Sequence, residues 1–152
     1  MRLPLLTVML LALAAPTPPS LPPNSLLLEL PEAEGKDIRL PFPYELCLAT
    51  FQRDEGSYGS GPRILIITNG LEPPQAIANL RGERTVFELT SNRDDNCDEG
   101  DIRTERFNAP GAVITTWFQT SPGEESCWVS GTIRVTVGTE TQVYRVKGAS
   151  GL

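Results

Sequence analysis

Histidine is absent from all 152 residues. Without an imidazole the chain cannot build a Ser-His-Asp triad, a Cys-His pair, a histidine-ligated zinc site or a histidine proton shuttle. Lysine is scarce, with Lys36 and Lys147 against eleven arginines, and the 19 acids outnumber the 13 bases. The resulting charge of −6 opposes general nucleic-acid binding, which needs a basic surface to neutralise phosphates. No Cys-x-x-Cys, no Asn-x-Ser/Thr sequon and no Gly-Lys-Ser/Thr phosphate loop occurs. No window carries an apolar stripe of helical period over ten or more residues.

Proline and glycine, by contrast, are abundant at 14 and 13 residues, which argues against a helical bundle. The first residues, MRLPLLTVMLLALAA, combine a positive Arg2, an apolar run and the small-x-small triplet Ala12-Leu13-Ala14. That pattern predicts a removable export signal over residues 1–14, too short to span a bilayer. Residues 15–24 contain the run PTPPSLPPN and read as a proline-rich linker. No later run of 18 apolar residues occurs. The expectation is a secreted or periplasmic, cell-envelope protein, not integral in the membrane after processing, with a charge of −7 once Arg2 is removed.

From Ser25 to Gly148 the chain reads as short β-prone runs punctuated by Gly, Pro, Asn and Asp, with 149–152 as a tail. Strands are expected near 25–30, 36–40, 44–51, 63–68, 84–90, 102–107, 112–119, 126–137 and 141–147. Gln75–Leu80 suits one helical turn or a further strand. Val129, Ile133, Val135 and Val137 alternate with Ser130, Thr132, Arg134 and Thr136, the pattern of a strand with one buried face. Ile64–Ile67 is apolar on both faces and should be covered on both. The fold class expected is all-β, a single two-sheet sandwich of about 8–9 antiparallel strands, with a barrel or jelly roll as the alternative.

Three cysteines in an exported chain allow one internal bridge and leave one thiol. Three pairings are open. Cys47 sits in the apolar Leu46-Cys47-Leu48-Ala49, so Cys97–Cys127 is favoured, against intermolecular pairing or a reactive thiol as rivals.

Ser91–Asp101 carries five acids and one arginine. Asp94, Asn96 and Asp98 have the 1-3-5 spacing of a calcium loop, but position 6 is Glu99 rather than glycine, so an EF-hand is rejected. A weak Ca²⁺ loop using Asp94, Asp95, Asn96, Asp98 and Asp101 competes with a solvated acidic turn; no other cofactor is expected. The stretch Leu89–Phe107, followed by Asn108-Ala109-Pro110-Gly111-Ala112, resembles bacterial pre-peptidase C-terminal domains. That resemblance implies a secreted, non-catalytic β-sandwich of the kind usually appended to enzymes.

Trp117 and Phe118 are neighbours on one strand and must point to opposite faces, so one is core. Trp128 opposes the apolar face of its own strand. An exposed Trp117 or Trp128, near Tyr58 or Tyr144, would stack on a sugar or anchor a protein partner. The acid pairs Glu124-Glu125 and Asp54-Glu55 read as solvated turns. The function expected is therefore a non-catalytic binding or structural module for a protein or carbohydrate ligand outside the cytoplasm. The alternative is a secreted inhibitor presenting the loop Asp54–Pro62 to an enzyme cleft. N-terminal sequencing of exported protein should start at Ala15; material still beginning with Met1 would refute the signal.

Overall fold

The computed structural model describes residues 24–30, 48–53, 63–68, 73–91, 99–123 and 126–151. They contain nine strands and no helix: β1 (Leu27–Leu28), β2 (Leu48–Arg53), β3 (Arg63–Thr68), β4 (Gln75–Leu80), β5 (Glu83–Leu89), β6 (Ile102–Ala109), β7 (Ala112–Pro122), β8 (Ser126–Val137) and β9 (Glu140–Gly151). Every ladder is antiparallel. From β2 onward each strand pairs with its successor, and β9 returns to β2. The chain is thus all-β, and its ladders join into one sheet that curls round until they meet.

The barrel-like alternative is compatible with this arrangement; a division into two separate sheets is not seen among the described residues. The β4–β5 hairpin is the reason. Its ladder runs from Gln75↔Glu88 to Leu80↔Glu83. It then bridges the remaining gap through short ladders, Ile66↔Ile77 and Ala76↔Ile67 toward β3, and Glu88↔Asn108 and Leu89↔Phe107 toward β6. The far end of the same β4 edge takes β1, by Leu27↔Leu80 and Leu28↔Asn79.

Gln75–Leu80 is therefore a strand, not a helical turn. The first expected strand shrinks to Leu27–Leu28. The last one runs through residues 149–151, where a tail was expected, because Ser150 pairs with both Ala49 and Cys127. The expected leader, nearly all of the linker, the strand at 36–40 and residues 44–47 lie outside the described residues.

Alternation decides what each strand encloses. Phe107, Ile114, Phe118, Val129, Ile133, Val135, Tyr144 and Val146 share one buried cluster with Leu27, Leu65, Ile67 and Phe87. Ile66 and Ile77 point to the outer face and pack with Leu30 and Val86 in a second, smaller cluster. This explains the doubly apolar Ile64–Ile67 run: the enclosed core covers one face and Leu30 lies over the other.

One end of the ring is closed tightly. Short turns at Arg81-Gly82, Pro110-Gly111 and Gly138-Thr139 lie there together, and Gly138 N–H donates to the Gly111 carbonyl. Arg81 and Gly82 both adopt positive φ, 53° and 94°, as a two-residue type I′ hairpin requires. Residues 24–28 cover these turns. The Tyr144 hydroxyl accepts the Leu27 N–H and stands within hydrogen-bond reach of Ser25 Oγ and Gln142 Oε1. Gln142 in turn accepts the Leu26 N–H and donates to the Asn24 carbonyl.

Gly131 marks the closest approach of β7 and β8. A Cβ there would lie 1.9 Å from the Trp117 carbonyl oxygen and 3.0 Å from the Phe118 Cα, and backbone cannot yield as a side-chain tip can. Gly131→Ala should cost roughly 3 kcal/mol or more. Gly111→Ala meets nothing within 4 Å but keeps φ at 75°, and should cost about 1–2 kcal/mol. Urea denaturation of both variants checks the order; equal losses would show that the approach is not rigid.

Candidate functional site

The order Arg103-Thr104-Glu105-Arg106-Phe107 reads as an ordinary charged strand, yet Arg103, Glu105 and Phe107 fall on one face. Phe107 is fully enclosed, so alternation carries the other two inward with it. Glu105 is buried and pairs with Arg103, Nη2 to Oε1, at 3.2 Å. Thr116, directly opposite Glu105, is also buried, and its hydroxyl bonds the Glu105 backbone. Glu105 and Thr116 are buried inside the ring, and the Arg103 side chain is largely so. Sequence reasoning missed them; the available signal was the two-residue spacing back from Phe107.

The outer face of β6–β9 has a different character. Its outward positions are Ile102, Thr104, Arg106 and Asn108 on β6, and Val113, Thr115, Trp117, Gln119 and Ser121 on β7. β8 and β9 add Trp128, Ser130, Thr132, Arg134 and Thr136, then Thr141, Val143, Arg145, Lys147 and Ala149. None of these is an acid and four are basic, in a chain whose acids outnumber its bases. The Arg134 guanidinium lies over the Trp117 ring, 4.9 Å from its centroid. This is a cation–π contact that holds the guanidinium plane while leaving its edge donors available.

Beside it is an open depression of about 410 Å³, lined by Ile102, Trp117, Gln119, Ser130, Thr132 and Arg145 among others. Gly131 contributes to its wall. Trp128 is 41% exposed on the same face, about 13 Å along the strands from Trp117. Ile102 is 76% and Val143 57% exposed.

The Trp117-Phe118 pair divides with Phe118 in the core and Trp117 half-buried on the outside. Tyr144 does not join Trp128 in an outer platform. It is buried and its hydroxyl ties down the segment at residues 24–28. Tyr58, like the whole loop Asp54–Pro62, lies outside the described residues, as do Glu124 and Glu125. Of the calcium candidates, Asp94, Asp95, Asn96 and Asp98 lie outside them too. Asp101 is exposed, and its backbone carbonyl accepts from the N–H and hydroxyl of Thr120. No group of acids or cysteines among the described residues is arranged to hold a metal. Cys127 is buried and engaged rather than a free thiol, while Cys47 and Cys97 lie outside the described residues.

No helix among the described residues is long and apolar enough to cross a membrane. No family model matches the chain, and neither a curated protein nor a solved structure is significantly similar to it.

Removing Glu105 deprives the largely buried Arg103 of a carboxylate partner. Glu105→Ala should therefore cost about 3–5 kcal/mol, while the double change Arg103→Met with Glu105→Leu should recover most of that loss. Chemical denaturation of both decides this; a single variant as stable as the parent would show that water reaches the pair.

Proposed function

We propose that the chain is an exported, non-catalytic binding module that takes a carbohydrate ligand on the outer face of β6–β9. The observation that carries this reading is the depression beside Trp117, with a second exposed indole, Trp128, on the same surface. An indole offers a flat apolar face to a sugar ring. Gln119, Ser130, Thr132 and Arg145 supply donors and acceptors for hydroxyl groups around it. The absence of histidine and the enclosure of Glu105 inside the ring both favour binding over turnover, since the described outward positions of this face carry no carboxylate to act as an acid or base.

The N-terminal signal pattern and the resemblance of Leu89–Ala112 to secreted, enzyme-appended modules support export and a role beside other proteins. A Cys97–Cys127 disulfide belongs to the same reading. It would join the loop after β5 to the start of β8, and Gly100 already donates its N–H to the Thr120 carbonyl on the intervening β7.

Indole fluorescence titrated with a panel of neutral and acidic oligosaccharides tests the assignment. At least one class should shift the emission of the parent protein. Trp117→Ala should weaken that binding roughly tenfold or more, by loss of a stacking anchor, with no release of reducing ends. A panel without any response, or hydrolysis of the responding sugar, would refute it.

A further inference from the structure

We propose that the ligand of this face is an acidic glycan, a chain of uronic acid residues whose carboxylates are bound by Arg145 and Arg134. The inference rests on the carbohydrate-binding reading above and names its substrate class. Three observations lead to it.

The first is charge. The described outward positions of β6–β9 hold Arg106, Arg134, Arg145 and Lys147 and no acid, although the chain as a whole is at −6. Glu105 of β6 points into the ring and Glu140 stands at the turn that opens β9, so the outer face of β6 to β9, the largest continuous run of ladders, carries basic residues alone against a 19-to-13 excess of acids in the chain. Such a surface attracts anions at range.

The second is placement. Thr104, Trp117, Thr132 and Arg145 form one cross-strand row, so the Arg145 guanidinium belongs to the same depression as the indole. Arg134 sits two residues along β8 from Thr132 and is stacked on that indole. Neither arginine forms an ion pair with a carboxylate of the described residues. One guanidinium thus lies over the indole and a second lines the depression beside it, and a guanidinium recognises a carboxylate through paired N–H donors.

The third is the rest of the lining. Gln119, Ser130 and Thr132 are short neutral donors and acceptors, and Ile102 and Trp117 are apolar. A hydroxylated ring with one apolar face and one carboxylate uses all three kinds of group. An anionic bilayer would use the charges but leave the hydroxyl and amide groups that line the depression without a role.

The test is calorimetric titration of the full mature chain with an oligogalacturonate, with a neutral cello-oligosaccharide of equal length, and with phosphatidylglycerol vesicles. The oligogalacturonate should bind, and raising NaCl from 50 to 300 mM should weaken it several-fold. Arg145→Gln should weaken it roughly tenfold or more. Arg84→Gln, which removes an equal charge from β5 on another part of the ring, should leave it unchanged. Circular dichroism melts establish that each variant is folded; if Arg145→Gln is not, Arg134→Gln and the salt titration decide the matter.

Equal, salt-insensitive binding of both oligosaccharides would overturn the acidic-glycan inference and leave the carbohydrate-binding function standing. Vesicle binding that depends on Arg145 without oligogalacturonate binding would identify an anionic lipid surface instead and overturn it. No response to the oligogalacturonate would overturn the acidic-glycan inference, whereas the carbohydrate-binding function falls only if the wider oligosaccharide panel is silent as well.

Discussion

Closure of the ladder ring is the constraint on which the rest of this molecule depends. β4 must pair with β5 along one edge while sharing its other edge between β3 and β1. Once it does, strands β2 to β9 each have a partner on both sides, and no strand can slip by one residue without moving its entire apolar set to the outside. The inside and outside of every strand are thereby determined together.

That constraint explains why two charges are enclosed. Phe107 has to face inward to fill the ring, and a strand cannot turn Phe107 in while turning Glu105 and Arg103 out. The chain meets the cost by making the two charges each other's partner and by giving the Glu105 backbone the Thr116 hydroxyl. A buried pair of this kind adds little net stability, and because both members lie on β6 a one-residue slip of that strand would carry the two charges out together with Phe107. At the closed end the corresponding task falls to Tyr144. Its ring fills the interior, and its hydroxyl reaches the otherwise unpaired N–H of Leu27.

The outer face is the complement of the same alternation. With Phe118 and Ile133 committed to the core, Trp117, Thr132 and Arg134 are committed to the surface, and antiparallel register brings Arg145 into line with them. Gly131 adds the local shape, since the absence of its side chain lets β8 lie against the Trp117 carbonyl beside the depression. A binding surface of this kind needs no loop to form it. It is held by the longest ladders in the molecule, which makes it stiff and suits a ligand that must be met by pre-positioned planar groups.

Much of this was legible in the chain itself. Alternation in β8, the turn residues Pro110-Gly111 and Gly138, and the doubly apolar Ile64–Ile67 are local signals, and each matches the element formed there. The missing histidines exclude whole classes of chemistry wherever the remaining residues lie. Pairing partners were not legible, because whether nine short strands make two sheets or one ring depends on contacts between distant segments, and the deciding hairpin, Gln75–Leu89, carries only Arg81-Gly82 as its mark. Nor was the burial of Arg103 and Glu105, because period two states which residues share a face but not which face is enclosed. The sequence by itself determined the composition of each face; only the tertiary structure decided which faces point inward and which residues of different strands stand side by side, since register is a property of paired strands and not of any one of them.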